Sequence, residues 1–173
     1  MIETQRLKLM PFEEAHFEAI LKKNLPELGT ILAVETPKQW TTFKDMEDAL
    51  PFFYESYQLG TSFGSFFIVH KKDKQLLGTC GFKGNPDTEG VVELGYEIHK
   101  DYRLQGLATE AAQGLMDYAF RDINVKKIRA HTLPFGNPSS SVLQKLAFIF
   151  LGTFHDPDDG DVWRWEIKPI IAQ

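Results

Sequence analysis

The sequence predicts a single α/β domain in which strands and helices alternate along the chain. Three observations carry that expectation. Short runs such as residues 65–70, 75–82 and 91–99 are apolar or alternate as strands do. Others, around residues 13–23, 42–57 and 108–120, space their apolar residues three and four apart, as helices do. A length of 173 residues, with 43% hydrophobic and 25% charged content, suits one core of ordinary size.

Residues 2–11 read as the opening strand, with Leu7 and Leu9 alternating against Arg6 and Lys8 until Pro11 ends it. Residues 13–23 then bring His16, Phe17, Ile20 and Leu21 together at helical spacing, and Pro26 follows shortly. The pattern is irregular from there to Trp40. Residues 42–57 form a helix through Met46, Leu50, Phe53 and Tyr57, which Pro51 should kink or restart. Strands at 65–70 and 75–82 flank the polar turn 71–74, and 85–90 is a loop by composition. The strand at 91–99 puts Glu93, Gly95, Glu97 and His99 on one face and Leu94, Tyr96 and Ile98 on the other.

A helix runs from the small-residue turn at 103–108 to about Phe120, with Ala108, Ala112, Leu115, Met116 and Ala119 on one face. Residues 127–133 form a strand. Asn137 suits a helix N-cap and Pro138 its first turn, and that helix carries Val142, Leu143 and Leu146 inward before stopping near Phe148. Strands at about 150–155 and 162–167 close the fold around the acidic turn 156–161, and Trp163 and Trp165 share a face with Ile167.

Composition narrows the function. The net charge is -5, and the basic groups at 71–72 and 126–129 lie apart, so nucleic acid is not the expected partner. No run approaches the roughly 18 apolar residues of a membrane span, and no basic segment leads into an apolar one at the N-terminus. The expectation is a soluble, cytoplasmic protein with no membrane partner. Cys80, the single cysteine, lies in an apolar run and reads as a buried residue rather than a nucleophile. His16, His70, His99, His131 and His155 show no ligand-pair spacing, so no metal is expected.

The stretch at 103–108 is the strongest local signal. A strand that enters a small-residue turn and then a helix leaves the first helical N–H groups free at the positive end of the helix dipole, which makes an anion seat. Gly106 lets a phosphate approach the backbone, and Arg103 and Gln105 can donate at its rim. A purely structural reading, in which Gly106 and Ala108 are small so that helix and sheet pack closely, weighs evenly against it on physical grounds alone.

Arg103-Leu-Gln-Gly106-Leu-Ala108 resembles the [Q/R]-x-x-G-x-[G/A] signature of the GNAT superfamily of acyl-CoA-dependent N-acetyltransferases, and it stands between the strand and helix that signature requires. Thr4-Gln-Arg6-Leu7-Lys-Leu9, Glu93-Leu-Gly95-Tyr96-Glu-Ile, Ala108-Thr-Glu110-Ala111 and Asn137-Pro-Ser-Ser140 are similar, in order, to motifs of the RimJ/RimL-like branch. The resemblance spans nearly the whole chain. It implies a central mixed, mostly antiparallel sheet of about seven strands, splayed at the cofactor site, with helices on both faces.

It also implies acetyl-CoA as cofactor, bound by Ile98, His99, Arg103, Leu104, Gln105, Gly106, Leu107, Ala108, Thr109, Asn137 and Ser140. The turn would hold the pyrophosphate, the backbone of 97–99 would pair with pantetheine like an added strand, and Asn137 would touch the cofactor from the other side.

The other partner is an amine, either a protein N-terminus or a small molecule. An aliphatic ammonium is almost wholly protonated at pH 7, so a base or proton wire is needed. Glu93 is the first candidate and Glu97 the second. A backbone N–H near Ile98 would stabilise the oxyanion. Many members of the family offer the departing thiolate a tyrosine; residues 142–145 contain none, and Ser140 is the candidate here. The expected chemistry is direct attack in a ternary complex, with a catalytically silent acyl-CoA-binding module as the alternative. A homodimer is left open. Gly60-Thr-Ser62-Phe-Gly64 fits a nucleophile-elbow pattern, but a helix precedes it and a strand follows, the reverse of what an elbow needs.

Overall fold

The computed structural model describes residues 1–42, 46–157 and 159–169. Its strands are β1 (Ile2–Glu3), β2 (Leu7–Pro11), β3 (Ser65–His70), β4 (Gln75–Phe82), β5 (Val91–Ile98), β6 (Lys127–Thr132), β7 (Ile149–Asp156) and β8 (Gly160–Ile167). The helices are α1 (Glu14–Leu21), α2 (Leu25–Leu32), α3 (Met46–Gln58), α4 (Leu107–Ala119) and α5 (Pro138–Lys145). The strands form one sheet in the order β1-β2-β3-β4-β5-β6-β8-β7. Every neighbouring pair is antiparallel except β5 and β6.

The mixed, mostly antiparallel sheet expected from the resemblance is therefore present, with eight strands instead of about seven. The additional strand comes from the opening segment. Thr4 N donates to Leu7 O at 3.0 Å and Leu7 N to Thr4 Oγ1 at 3.0 Å, which folds residues 2–11 into a hairpin instead of one strand.

Both faces of the sheet are covered, and the sequence of β3 shows why. Phe66 and Ile68 point to the core under α4 and α5, while Phe67 and Val69 point to the core under α1, α2 and α3. An unbroken apolar strand belongs in such a two-sided setting. Leu107, Ala111, Ala112, Leu115 and Ala119 turn one stripe of α4 onto the first core. Phe12, Phe17, Leu28, Trp40, Leu50 and Phe53 fill the second, where Phe12 stacks on Phe67 with ring centroids 3.8 Å apart.

One expectation, that the stretch before Trp40 is irregular, is corrected. Pro26 does not mark a helix end: it stands in the first turn of α2, where its missing N–H costs nothing, behind an Asn24 cap that accepts from Glu27 N at 3.2 Å. The irregular stretch before Trp40 thus contains a helix. Pro51 lies inside α3, which runs as one helix from Met46; residues 43–45, at the expected helix start, lie outside the described residues.

Candidate active site

The one parallel strand pair of the sheet, among the described residues, is short. β5 and β6 pair at Val91↔Lys127, Val92↔Ile128 and Glu93↔Arg129, and no further pair follows, although β5 stays paired with β4 as far as Gly78↔Ile98. Along residues 94–98 the edge of β5 that faces β6 therefore has no ladder partner among the described residues. An open backbone edge inside a sheet is a seat for an extended ligand bearing amides. Tyr96 crosses this gap. Its hydroxyl donates to Ser139 O at 3.2 Å, tying β5 to the first turn of α5, and burial holds the phenol above its ordinary range.

The turn after β5 ends at the same opening. His99 caps a short 3-10 turn, Lys100–Tyr102, by accepting from Asp101 N at 3.4 Å, and Arg103 Nε donates to Ile98 O at 2.9 Å. Leu104 then adopts φ 62° with its side chain fully exposed, and Gly106 adopts φ 78° as the N-cap of α4. A left-handed backbone at a branched apolar residue is strained, and such strain clusters at ligand sites. Leu107, 2% exposed, anchors the helix; Ala108 and Thr109 are half-buried. The N–H groups of residues 107–109 have no partner within the helix, so they and the helix dipole offer an anion cradle. Gln105, expected at its rim, donates from its side chain to Asp101 O at 3.3 Å.

Arg6, 99 residues before Gln105 in the sequence, braces this cradle. Its Nη1 donates to Gln105 O at 2.9 Å, its Nε to Glu110 Oε2 at 2.6 Å and its backbone N to Glu110 Oε1 at 2.6 Å, while Thr4 Oγ1 donates to the same Oε1 at 2.6 Å. Burial pushes the Glu110 carboxyl up, but these donors outweigh it and hold the group below the usual glutamate range. Local sequence offers no signal for a brace between residues so far apart.

Asn137 and Ser140 form a reciprocal cap on α5. Ser140 N donates to Asn137 Oδ1 and Asn137 N to Ser140 Oγ, both at 3.0 Å, while Ser140 Oγ donates to Asn137 O at 2.7 Å. Asn137 Nδ2 donates to Phe135 O at 2.8 Å. Ser140 is buried, and its proton is engaged within the cap.

The two glutamates on β5 differ in what they have left to offer. Glu97 has both oxygens occupied: Oε1 accepts from Thr41 Oγ1 at 2.6 Å and Thr79 Oγ1 at 3.1 Å, and Oε2 accepts from Thr42 N at 2.7 Å and from the Thr42 hydroxyl. Glu93 is met on Oε1 alone, by Lys83 Nζ at 2.6 Å and His131 Nδ1 at 3.1 Å. Among the described residues no hydrogen bond reaches its Oε2. Burial pushes the Glu93 carboxyl up, and the hydrogen bonds of His131 and Lys83, with the Lys83 charge, bring it below its ordinary value.

Glu97 lines a cavity of about 230 Å³ together with Thr42, Phe53, Thr79, Cys80, Lys83 and Tyr96; Glu93 is not in the lining and stands behind Lys83, which it pairs with. Cys80 is 4% exposed and burial pushes its thiol well up, so it is a poor nucleophile. A larger hollow, about 830 Å³, lies between α2 and the β3–β4 turn and contains none of the expected site residues. Ser62 precedes β3, and its carbonyl accepts from Tyr118 Oη at 3.2 Å, so no nucleophile elbow forms. Among the described residues no helix is long and apolar enough to cross a membrane.

A splayed sheet whose open strand leads into a glycine-capped helix defines a class. Residues 6–149 match the family model for the acetyltransferase (GNAT) domain, and the chain belongs to that family of acetyl-CoA-dependent N-acetyltransferases. Among relatives, it is 34% identical over 155 residues to YjdG of Bacillus subtilis strain 168, named an uncharacterized N-acetyltransferase, covering 86% of this chain and 89% of that one. Its fold is shared with RimL, a ribosomal L7/L12 alpha-N-protein acetyltransferase solved in complex with coenzyme A, at TM-score 0.68 and 16% identity over 95% of both chains. It is shared too with the ribosomal-protein-S5-alanine acetyltransferase of Vibrio fischeri, at TM-score 0.67 and 17% identity over 96% of this chain and 94% of that one.

Proposed function

We propose that the protein transfers the acetyl group of acetyl-CoA to a primary amine by direct attack in a ternary complex. The observation that carries this reading is the loss of β6 pairing after Glu93 on the strand that leads to the Gly106-capped helix. The pyrophosphate would sit on the N–H groups of residues 107–109, rimmed by Arg103, Leu104 and Gln105. Pantetheine would lie along the open edge of β5 through Ile98 and His99, with Asn137 facing it from α5.

Bound acetyl-CoA supplies an activated thioester carbonyl. Glu93 Oε2 takes a proton from the acceptor ammonium, the free amine adds to the carbonyl carbon to form the C–N bond, and as the C–S bond breaks the second amine proton passes to the departing thiolate. A backbone N–H near Ile98 stabilises the oxyanion. Ser140, released from the Asn137 carbonyl, would hydrogen-bond the departing thiolate. Glu97, with both oxygens already engaged, would shape the cavity instead of taking the proton. Proximity supplies much of the rate for so activated an acyl group.

A cavity of about 230 Å³, the volume of roughly eight waters, would admit a compact reactive end. That supports a small amine. The names of the two ribosomal acetyltransferases support a protein N-terminus. The test is release of free coenzyme A thiol in the presence of a panel containing amino acids, polyamines and short peptides with free N-termini. Turnover with any of them, retained in Cys80→Ala, supports direct attack; binding of acetyl-CoA with no turnover on the whole panel would leave the silent binding module.

A further inference from the structure

A polar seam crosses the splay. Lys83 just beyond β4, Glu93 on β5, His131 on β6, Arg164 on β8 and Phe154 on β7 follow one another in the order of the strands across the sheet. Lys83 Nζ and His131 Nδ1 meet Glu93 Oε1 at 2.6 and 3.1 Å, Arg164 Nε donates to His131 Nε2 at 3.1 Å, and the Arg164 guanidinium lies 3.9 Å from the centre of the Phe154 ring.

The direction of the Arg164 bond decides the state of the imidazole. A guanidinium keeps its protons and can only donate, so His131 Nε2 must present a lone pair to it. The single ring proton then sits on Nδ1, the nitrogen 3.1 Å from Glu93 Oε1. A second proton on the ring would break this bond and set two cations side by side.

We infer that His131 and Arg164 are positioning residues for acceptor deprotonation: they hold Glu93 with Oε1 occupied by a singly protonated imidazole and Oε2 left for the incoming ammonium. The inference rests on Glu93 as the base. Lys83 supplies the cation that keeps the carboxylate ionised. Arg164 keeps the imidazole from becoming a second cation, which would draw down the basicity that proton abstraction needs.

The other charged groups nearby are already committed. On β6 and β8, Arg129 Nη2 and Glu166 Oε1 pair at 2.6 Å, and Lys127 lies 3.9 Å from Glu166 Oε2. On β5, Glu97 is held by its threonines. From the end of β7 and the turn after it, Asp156 and Asp159 act on Lys83.

The inference makes opposite demands on two variants. Arg164→Met frees His131 Nε2 to take a proton, and an imidazolium against Oε1 lowers the Glu93 carboxyl midpoint by about one pH unit. His131→Phe removes a donor and raises that midpoint by about one unit. His131→Asn, which donates and accepts without titrating, restores the native midpoint and abolishes the downward shift when combined with Arg164→Met.

Carbon-13 NMR of the Glu93 carboxyl against pH reads these shifts on the free protein, and nitrogen-15 NMR reads which ring nitrogen carries the proton. Where an amine from the panel is turned over, the acid limb of kcat must follow the same order. Shifts of one sign in both single variants, or none, overturn the inference. So does a kcat limb that ignores the carboxyl midpoint. Failure of every amine in the wild-type protein would instead sink the proposed function, while the two NMR titrations would still test the seam.

Discussion

Arg6 Nε lies 2.6 Å from Glu110 Oε2, so a side chain from the first hairpin is fastened to the opening turn of α4. The same guanidinium holds the carbonyl of Gln105 from its other branch. The turn proposed to hold the pyrophosphate is thus set by a residue that would not itself touch the thioester. We expect Arg6→Ala to weaken acetyl-CoA binding by about tenfold, which corresponds to about 1.4 kcal/mol. Calorimetric titration checks this, and unchanged affinity would show that the turn holds its shape without the brace.

Glu110 makes part of the stability pH-dependent. Its carboxyl lies below the ordinary 4.5 in the folded state, so its contribution is fully present above that value and is lost as pH falls through the lower folded one. The melting temperature should therefore fall on acidification below about pH 4.5, and Glu110→Gln should flatten that part of the profile. The variant should also melt earlier at neutral pH, having lost about 2 kcal/mol of charge-assisted hydrogen bonding.

Gly114 sits mid-helix on the face of α4 that meets β1. A Cβ there would stand 2.8 Å from Thr4 Cγ2, and Thr4 is already held by Glu110. Despite the better helix propensity of alanine, Gly114→Ala should destabilise by about 1–3 kcal/mol through overpacking. Thermal unfolding decides the sign, and a stabilised variant would mean that the first hairpin gives way freely.

Glu93→Gln removes the base and keeps the shape. The loss of turnover should be greatest at low pH and shrink as the amine deprotonates unaided, with acetyl-CoA affinity nearly unchanged. A kcat–pH profile parallel to that of the wild type would remove Glu93 from proton abstraction.

Much of this was legible in the sequence, for identifiable reasons. β3 and β4 lie at the expected boundaries because their apolar runs are bounded by a polar turn, and α4 was marked by a five-residue apolar stripe after a glycine. The Asn137 cap could be read from residue types alone, since cap, proline and hydroxyl lie within four positions. What stayed hidden was of two kinds. Proline signals are ambiguous: Pro26 begins a helix as readily as it ends one, and only Asn24 before it distinguishes the cases. Long-range pairing leaves no local trace, so neither the Arg6 brace nor the chain of contacts from Glu93 through His131 to Arg164 could be read from spacing. The open oxygen of Glu93 and the occupied ones of Glu97 are likewise facts of packing, since the threonines that saturate Glu97 come from two separate segments.

The claim that the splay and the Gly106 turn form the acetyl-CoA site is tested most directly by calorimetric titration of acetyl-CoA into the native protein and into Gly106→Trp. The left-handed φ of 78° strains any side chain there, and the added ring would occupy the space the pyrophosphate needs. Circular dichroism of both proteins establishes that the variant is folded. The expected result is micromolar binding by the native protein and none by the folded variant. Equal binding by both would place the cofactor elsewhere and contradict the site described above.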